Sequence, residues 1–157
     1  MTPKRSRTAP AFPALASAVA AAFCFAALAL AAEGPPLVIK GGWVRAEAAG
    51  ARSLEAFMVI ENNSLMPQSI VLVEADDFAH VEIQRTAPGR GAATSTPVEQ
   101  IDIPMFGRRA LEPHGEFLRL SGPKRAFRAG DTITITFQLA DGKLQKVVLP
   151  VRRNPEE

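Results

Sequence analysis

Residues 132–151 read TITITFQLADGKLQKVVLPV. Thr132, Thr134 and Thr136 alternate with Ile133, Ile135 and Phe137, the period of a strand with one wet and one dry face. Asp141-Gly142 then supplies turn chemistry, and Lys143–Val151 reads as the returning strand, so the stretch predicts a tight hairpin. Working outward, short apolar runs recur between turn residues. They give candidate strands at 43–46, 55–61, 69–74, 80–86, 96–99, 109–112 and 116–120. Asn62-Asn63-Ser64, Pro88-Gly89 and Pro113-His114-Gly115 punctuate them. Strands at this spacing predict one all-β domain, a sandwich or a barrel.

The N-terminus reads as a targeting segment. Lys4, Arg5 and Arg7 form a basic region, no acid precedes Glu33, and an Ala-rich apolar run follows from about Ala14 to Leu30. Ala29-Leu30-Ala31 offers the small residues of a signal-peptidase site, so cleavage is expected after Ala31. The run is also nearly long enough to span a bilayer, and a membrane location is expected only if it is retained. The organisation expected is a signal peptide at 1–31, a linker at 32–37, a folded domain at 38–151 and a charged tail at 152–157. The setting is periplasmic or secreted.

Removing 1–31 leaves 15 basic against 16 acidic residues, a net charge of −1 in place of +2. The basic balance of the whole chain therefore belongs in part to targeting, and no nucleic-acid partner is implied. The one cysteine, Cys24, lies in the apolar run, which excludes disulfides and thiolate chemistry from the mature chain. No Ser-His-Asp or paired-acid pattern stands out, and Gly89-Arg90-Gly91 lacks the strand–loop–helix setting of a phosphate loop. The chain is not expected to be an enzyme.

Residues 81–122 read VEIQRTAPGRGAATSTPVEQIDIPMFGRRALEPHGEFLRLSG. Together with Trp43-Val44-Arg45-Ala46, the FMVIEN run at 57–62 and AGDTITITFQ at 129–138, they resemble the periplasmic PCu(A)C copper chaperones. The resemblance covers roughly Val38 to Val151 and implies a cupredoxin-like Greek-key β-sandwich. It also implies a Cu(I) site of two histidines and two methionines, spaced His, ten residues, Met, twenty-one residues, His, one residue, Met. Counted here, those positions fall on Gln84, Ser95, Phe117 and Arg119. Cu(I) is soft and prefers thioether, thiolate and imidazole donors. A phenyl ring offers no lone pair, a guanidinium repels a cation, and amide and hydroxyl oxygens are hard. No Cu(I) at the family site, and no other cofactor, is therefore expected.

Three readings stay open on sequence. The first is a metal-free relative that binds another periplasmic protein, such as an assembly component of an oxidase copper centre. The second is a copper(I) carrier with a displaced site drawn from His80, Met105 and His114. The third is a module binding an anion or small ligand near Arg119. Phe117, Arg119, Arg85 and Arg109 are the candidate partner- or anion-binding residues, because aromatic and arginine side chains supply interface hot spots.

Overall fold

In the computed structural model, residues 34–48, 50–87 and 94–153 are described. The expected signal segment, its cleavage point, the Pro88-Gly89 turn and the end of the tail lie outside them.

Ten strands form the domain: β1 Leu37–Arg45, β2 Ser53–Asn62, β3 Gln68–Glu74, β4 Phe78–Ala87, β5 Thr94–Val98, β6 Ile101–Ile103, β7 Arg108–Leu111, β8 Glu116–Pro123, β9 Thr132–Leu139 and β10 Leu144–Arg152. Their hydrogen-bonded order is β5-β4-β8-β7-β2-β1-β10-β9-β3-β6, with β8 also pairing β2. Most pairs are antiparallel. The parallel pairing of β1 with β10, over Val44↔Val151 and Arg45↔Arg152, joins a larger sheet (β5 to β1) to a smaller one (β10 to β6). The apolar faces of the two meet in one core. Leu54, Ala56, Met58, Ile60, Leu118 and Leu120 come from the larger sheet, and Ile70, Ile133, Ile135, Phe137, Leu139 and Leu149 from the smaller.

The expected hairpin is present with a longer loop. Leu144 pairs Gln138, and Gly142, at φ +85°, closes a three-residue connection through hydrogen bonds from Gly142 N to Leu139 O and from Leu139 N to Lys143 O. Two elements depart from expectation. β1 starts at Leu37 rather than Trp43, because Gly41-Gly42 interrupts the side-chain alternation. The register shifts there between Lys40 and Trp43, Gly41 sits at φ +59°, and a Cβ on Gly42 would come within 2.5 Å of Leu149. β6, three residues of apolar-polar-apolar sequence ahead of Pro104, is too short to announce itself.

The chain turns at two ends. β1, β3 and β10 begin, and β2, β6 and β9 finish, at the end where Leu37 meets Asn62 and Gln68 meets Ile103. The opposite end carries the 46–52, 75–77 and 124–131 connections.

Candidate functional site

Strand alternation leaves a second face on the larger sheet, away from the core. Two rows of side chains cross it. The first is Trp43 on β1, Phe57 on β2, Phe117 on β8 and Gln84 on β4. Trp43 pairs with Phe57 and Phe117 with Gln84 in register, and the ring centroids lie 5.1 Å (Trp43–Phe57) and 6.5 Å (Phe57–Phe117) apart. The second row, one register step further along, is Arg45, Glu55, Arg119 and Glu82, an alternation of charge across the same four strands. Arg119 stands opposite Glu55 on one side and Glu82 on the other. Arg45 Nη1 donates to Glu55 Oε2 at 2.9 Å.

The two rows lock together. The Arg45 guanidinium lies 4.9 Å from the Phe57 centroid and that of Arg119 lies 5.3 Å from Phe117. Gln84, which is buried, donates from Nε2 to Glu82 Oε2 at 2.9 Å. Among the described residues Arg119 has no carboxylate within ion-pair distance, although two flank it. Arg45 Nε is buried without a partner.

All four positions counted from the family spacing lie on this face. Gln84 opposes Phe117, Arg119 lies two residues along β8, and Ser95 pairs with Thr86, two residues along β4 from Gln84. Phe117 was expected at a contact surface. Its ring is instead inside, 4% exposed against Phe57, because a hydrocarbon on this crowded face is better packed than hydrated. Arg119, half-buried above it, is the reachable member of the pair.

Arg85 and Arg109 do not join Arg119. Arg85 opposes Glu116 one step from the Gln84–Phe117 pair and so points to the opposite face. There the buried Glu116 carboxylate takes two arginines. Arg109 donates from Nε and Nη2, both at 2.9 Å, and Arg85 from Nε at 3.1 Å and from Nη2. The Arg109 hydrogen bonds, opposed by burial and helped by Arg85, hold the Glu116 carboxyl below its ordinary value of 4.5. One carboxylate against two guanidiniums halves the positive charge at this clamp, and it engages both arginines away from the Arg119 face.

The candidates for a displaced metal site are placed apart. His80 lies on β4 opposite Ser121, while His114 and Met105 sit in loops at the two ends of β7, and all three are exposed. Among the described residues no three His, Cys, Asp or Glu side chains gather as a metal-ligand group. A concavity of about 510 Å³ is lined by Ala51, Arg52, Leu54, Arg125 and Phe127, and none of the candidate residues lines it.

Trp43, Arg45, Glu55 and Phe57 complete this face; none was named as a site residue from sequence, although Trp43, Arg45 and Phe57 lie in stretches that carry the family resemblance. The available signal was their spacing, two pairs of residues two apart, on strands whose alternate positions are core. The buried Asn62 was missed as well. Its Nδ2 donates to the carbonyls of Met66, Ile103 and Pro104, and its Oδ1 accepts from Ser64 N and Oγ.

A family model described as LpqE-like matches residues 37–151. A relative in Leifsonia xyli subsp. xyli, "Putative lipoprotein Lxx21020", is 26% identical over 115 residues, 73% of this chain and 68% of that protein. Among solved structures, Cu(I)-bound DR1885 from Deinococcus radiodurans is 27% identical, with a TM-score of 0.62 over 83% of this chain and 87% of that one. The copper-bound PCuAC domain of PmoF2 shares the fold at 18% identity, with a TM-score of 0.64 over 76% and 95%.

Proposed function

The chain belongs to the LpqE-like family, and with its PCuAC-like fold as the starting point we propose that it is an extracytoplasmic relative of the copper chaperones that docks a protein partner through the Arg45/Glu55/Arg119/Glu82 row and does not carry Cu(I). The lipoprotein description of its family and of its relative supports the setting outside the cytoplasm.

One observation carries the reading. The four positions that the family spacing selects converge on one face, and there they hold an amide, a hydroxyl, a phenyl ring and a guanidinium. That set offers no soft donor, and its one amide is already bound to Glu82. Alternating charges fixed by four strands suit recognition of a complementary polar surface, where they set register and encounter rate.

The first test is a Cu(I) competition. Purified protein is expected to yield its copper to a chelator of micromolar affinity, and one-to-one binding that survives the competition would overturn the reading. The variant Gln84→His/Ser95→Met/Phe117→His/Arg119→Met is expected to gain Cu(I) binding, since its four side chains start from one face. A folded variant that gains none would show that the spacing no longer describes the geometry.

A further inference from the structure

The end where β1 begins differs from the rest of the surface. Two loops meet there, 63–67 between β2 and β3 and 104–107 between β6 and β7. At their tips Leu65 is 76%, Met66 67%, Met105 59% and Phe106 67% exposed. Leu144, also exposed, begins β10 at the same end. Neither NNSLMPQ at 62–68 nor IPMFG at 103–107 contains a charged residue. The nearby hairpin carries Asp141 and Lys143, which pair with each other at 3.1 Å. The opposite end is rich in charge, with Glu47, Arg52, Asp77, Lys124 and Arg128 all on its connections.

This exposure is held in place. The Asn62 side chain bonds the carbonyl of Met66 in one loop and those of Ile103 and Pro104 at the root of the other, and Asn62 N donates to Gly107 O. Phe106 stands at φ +52°, a conformation that a bulky residue rarely adopts. Loops free to relax would fold such side chains inward. These are tied so that the apolar tips face outward, and contiguous apolar tips mark a contact surface.

We infer that this end is a lipid-contacting surface, the Leu65/Met66/Met105/Phe106 tips entering the interface of a bilayer. The position of the chain entry selects lipid over other occupants. Asn63 N donates to Pro36 O and Leu37 pairs with Asn62, so the chain enters β1 beside these loops. Only six residues, 31–36, separate Leu30, the last of the apolar run, from β1. Fully extended, they span about 20 Å. In the chain that keeps the run, a membrane engaging it is within that reach of this end, and uncharged loops with apolar tips are the surface that an interface accepts. The Arg119 face lies along the side of the sheet and stays free for a partner.

The test uses the full chain, with Cys24→Ser so that one label reports one position. An environment-sensitive probe is placed by Phe106→Cys, or in the control by Ala129→Cys in the charged end. The protein is reconstituted in vesicles of phosphatidylcholine with a minor share of phosphatidylglycerol and spin-labelled lipid. The probe at 106 is expected to be quenched severalfold more by the lipid label than the probe at 129, and to be shielded from iodide. Equal accessibility at the two positions overturns the inference. So does shielding of 106 that develops without lipid as protein concentration rises, which would assign the patch to a second copy. If tethering alone holds this end near lipid, quenching at 106 will persist in Leu65→Ser/Met66→Ser/Met105→Ser, and the inference fails. Should Phe106→Cys not fold, Leu65→Cys carries the same label, with Met66→Ser/Met105→Ser/Phe106→Ser as its tip variant.

Discussion

At the residue scale, Phe117 and Arg119 sit two apart on one strand and do different work. Phe117 is packed against Phe57, so Phe117→Ala should cost about 3 kcal/mol of stability, the low end for a buried ring because the cluster lies outside the main core. Arg119 is half-buried and, among the described residues, makes a cation–π contact and no ion pair, so Arg119→Ala should cost no more than about 1 kcal/mol. If the charged row is the docking surface, the same variant should weaken partner capture by about 2 kcal/mol or more. Thermal melts and crosslinking from periplasm separate these effects. Wild-type capture by Arg119→Ala would remove the row from the interface.

Glu116 gives a second prediction at this scale. Its carboxyl is held below 4.5 in the folded protein, chiefly by the Arg109 hydrogen bonds, so the folded state binds its proton less readily than the unfolded state. The stability it contributes is therefore full above that ordinary value and declines as pH falls through the lower folded value. Glu116→Gln should cost about 1–2 kcal/mol near neutral pH, the figure for a broken buried pair discounted because both arginines are about half exposed. The gap between variant and wild type should close as pH falls below 4.5. Parallel urea titrations at several pH values would measure it, and a gap independent of pH would show that the clamp acts by shape rather than charge.

At the element scale, the loops depend on a single strand end. Asn62 is fully buried, and its side chain joins β2, the 63–67 loop and the root of 104–107. Asn62→Ala removes the Nδ2 donor from the Ile103 carbonyl, the buried one of its three contacts, and the Oδ1 acceptor from Ser64, and a cost of about 2 kcal/mol is expected. Hydrogen exchange should quicken in residues 62–68 and 101–107 while β9 and β10 keep their protection. Uniform quickening would mean that the loops are fastened by packing instead. The sequence displayed Asn62-Asn63-Ser64 as turn chemistry only. It did not show that the first asparagine points inward, because two of its three acceptors, the Ile103 and Pro104 carbonyls, lie 41 and 42 residues away along the chain.

At the scale of the whole molecule, the all-β character was written in alternation: the 132–137 strand, the Asp141-Gly142 turn and seven other apolar runs each appear as strands near their expected places. The family was legible too, through the resemblance carried by 81–122 and the flanking runs, and the chain falls within the LpqE-like family and the PCuAC-like fold. Local order reaches only so far. The strand expected at 43–46 was cut short at two glycines that form a bulge within the longer β1, and β6 gained its place from pairing with β3. Arg85 and Arg119 were grouped as neighbouring positive charges, yet one register step on paired strands sends them to opposite faces. The sequence by itself determined the strand periods, the turns and the family resemblance, because these rest on patterns within a few tens of residues. Only the tertiary structure decided which side chains share a face, which arginines share the Glu116 carboxylate, and that four apolar tips gather at the end where β1 begins. Those outcomes depend on strand register and on contacts between distant segments, which no local pattern encodes.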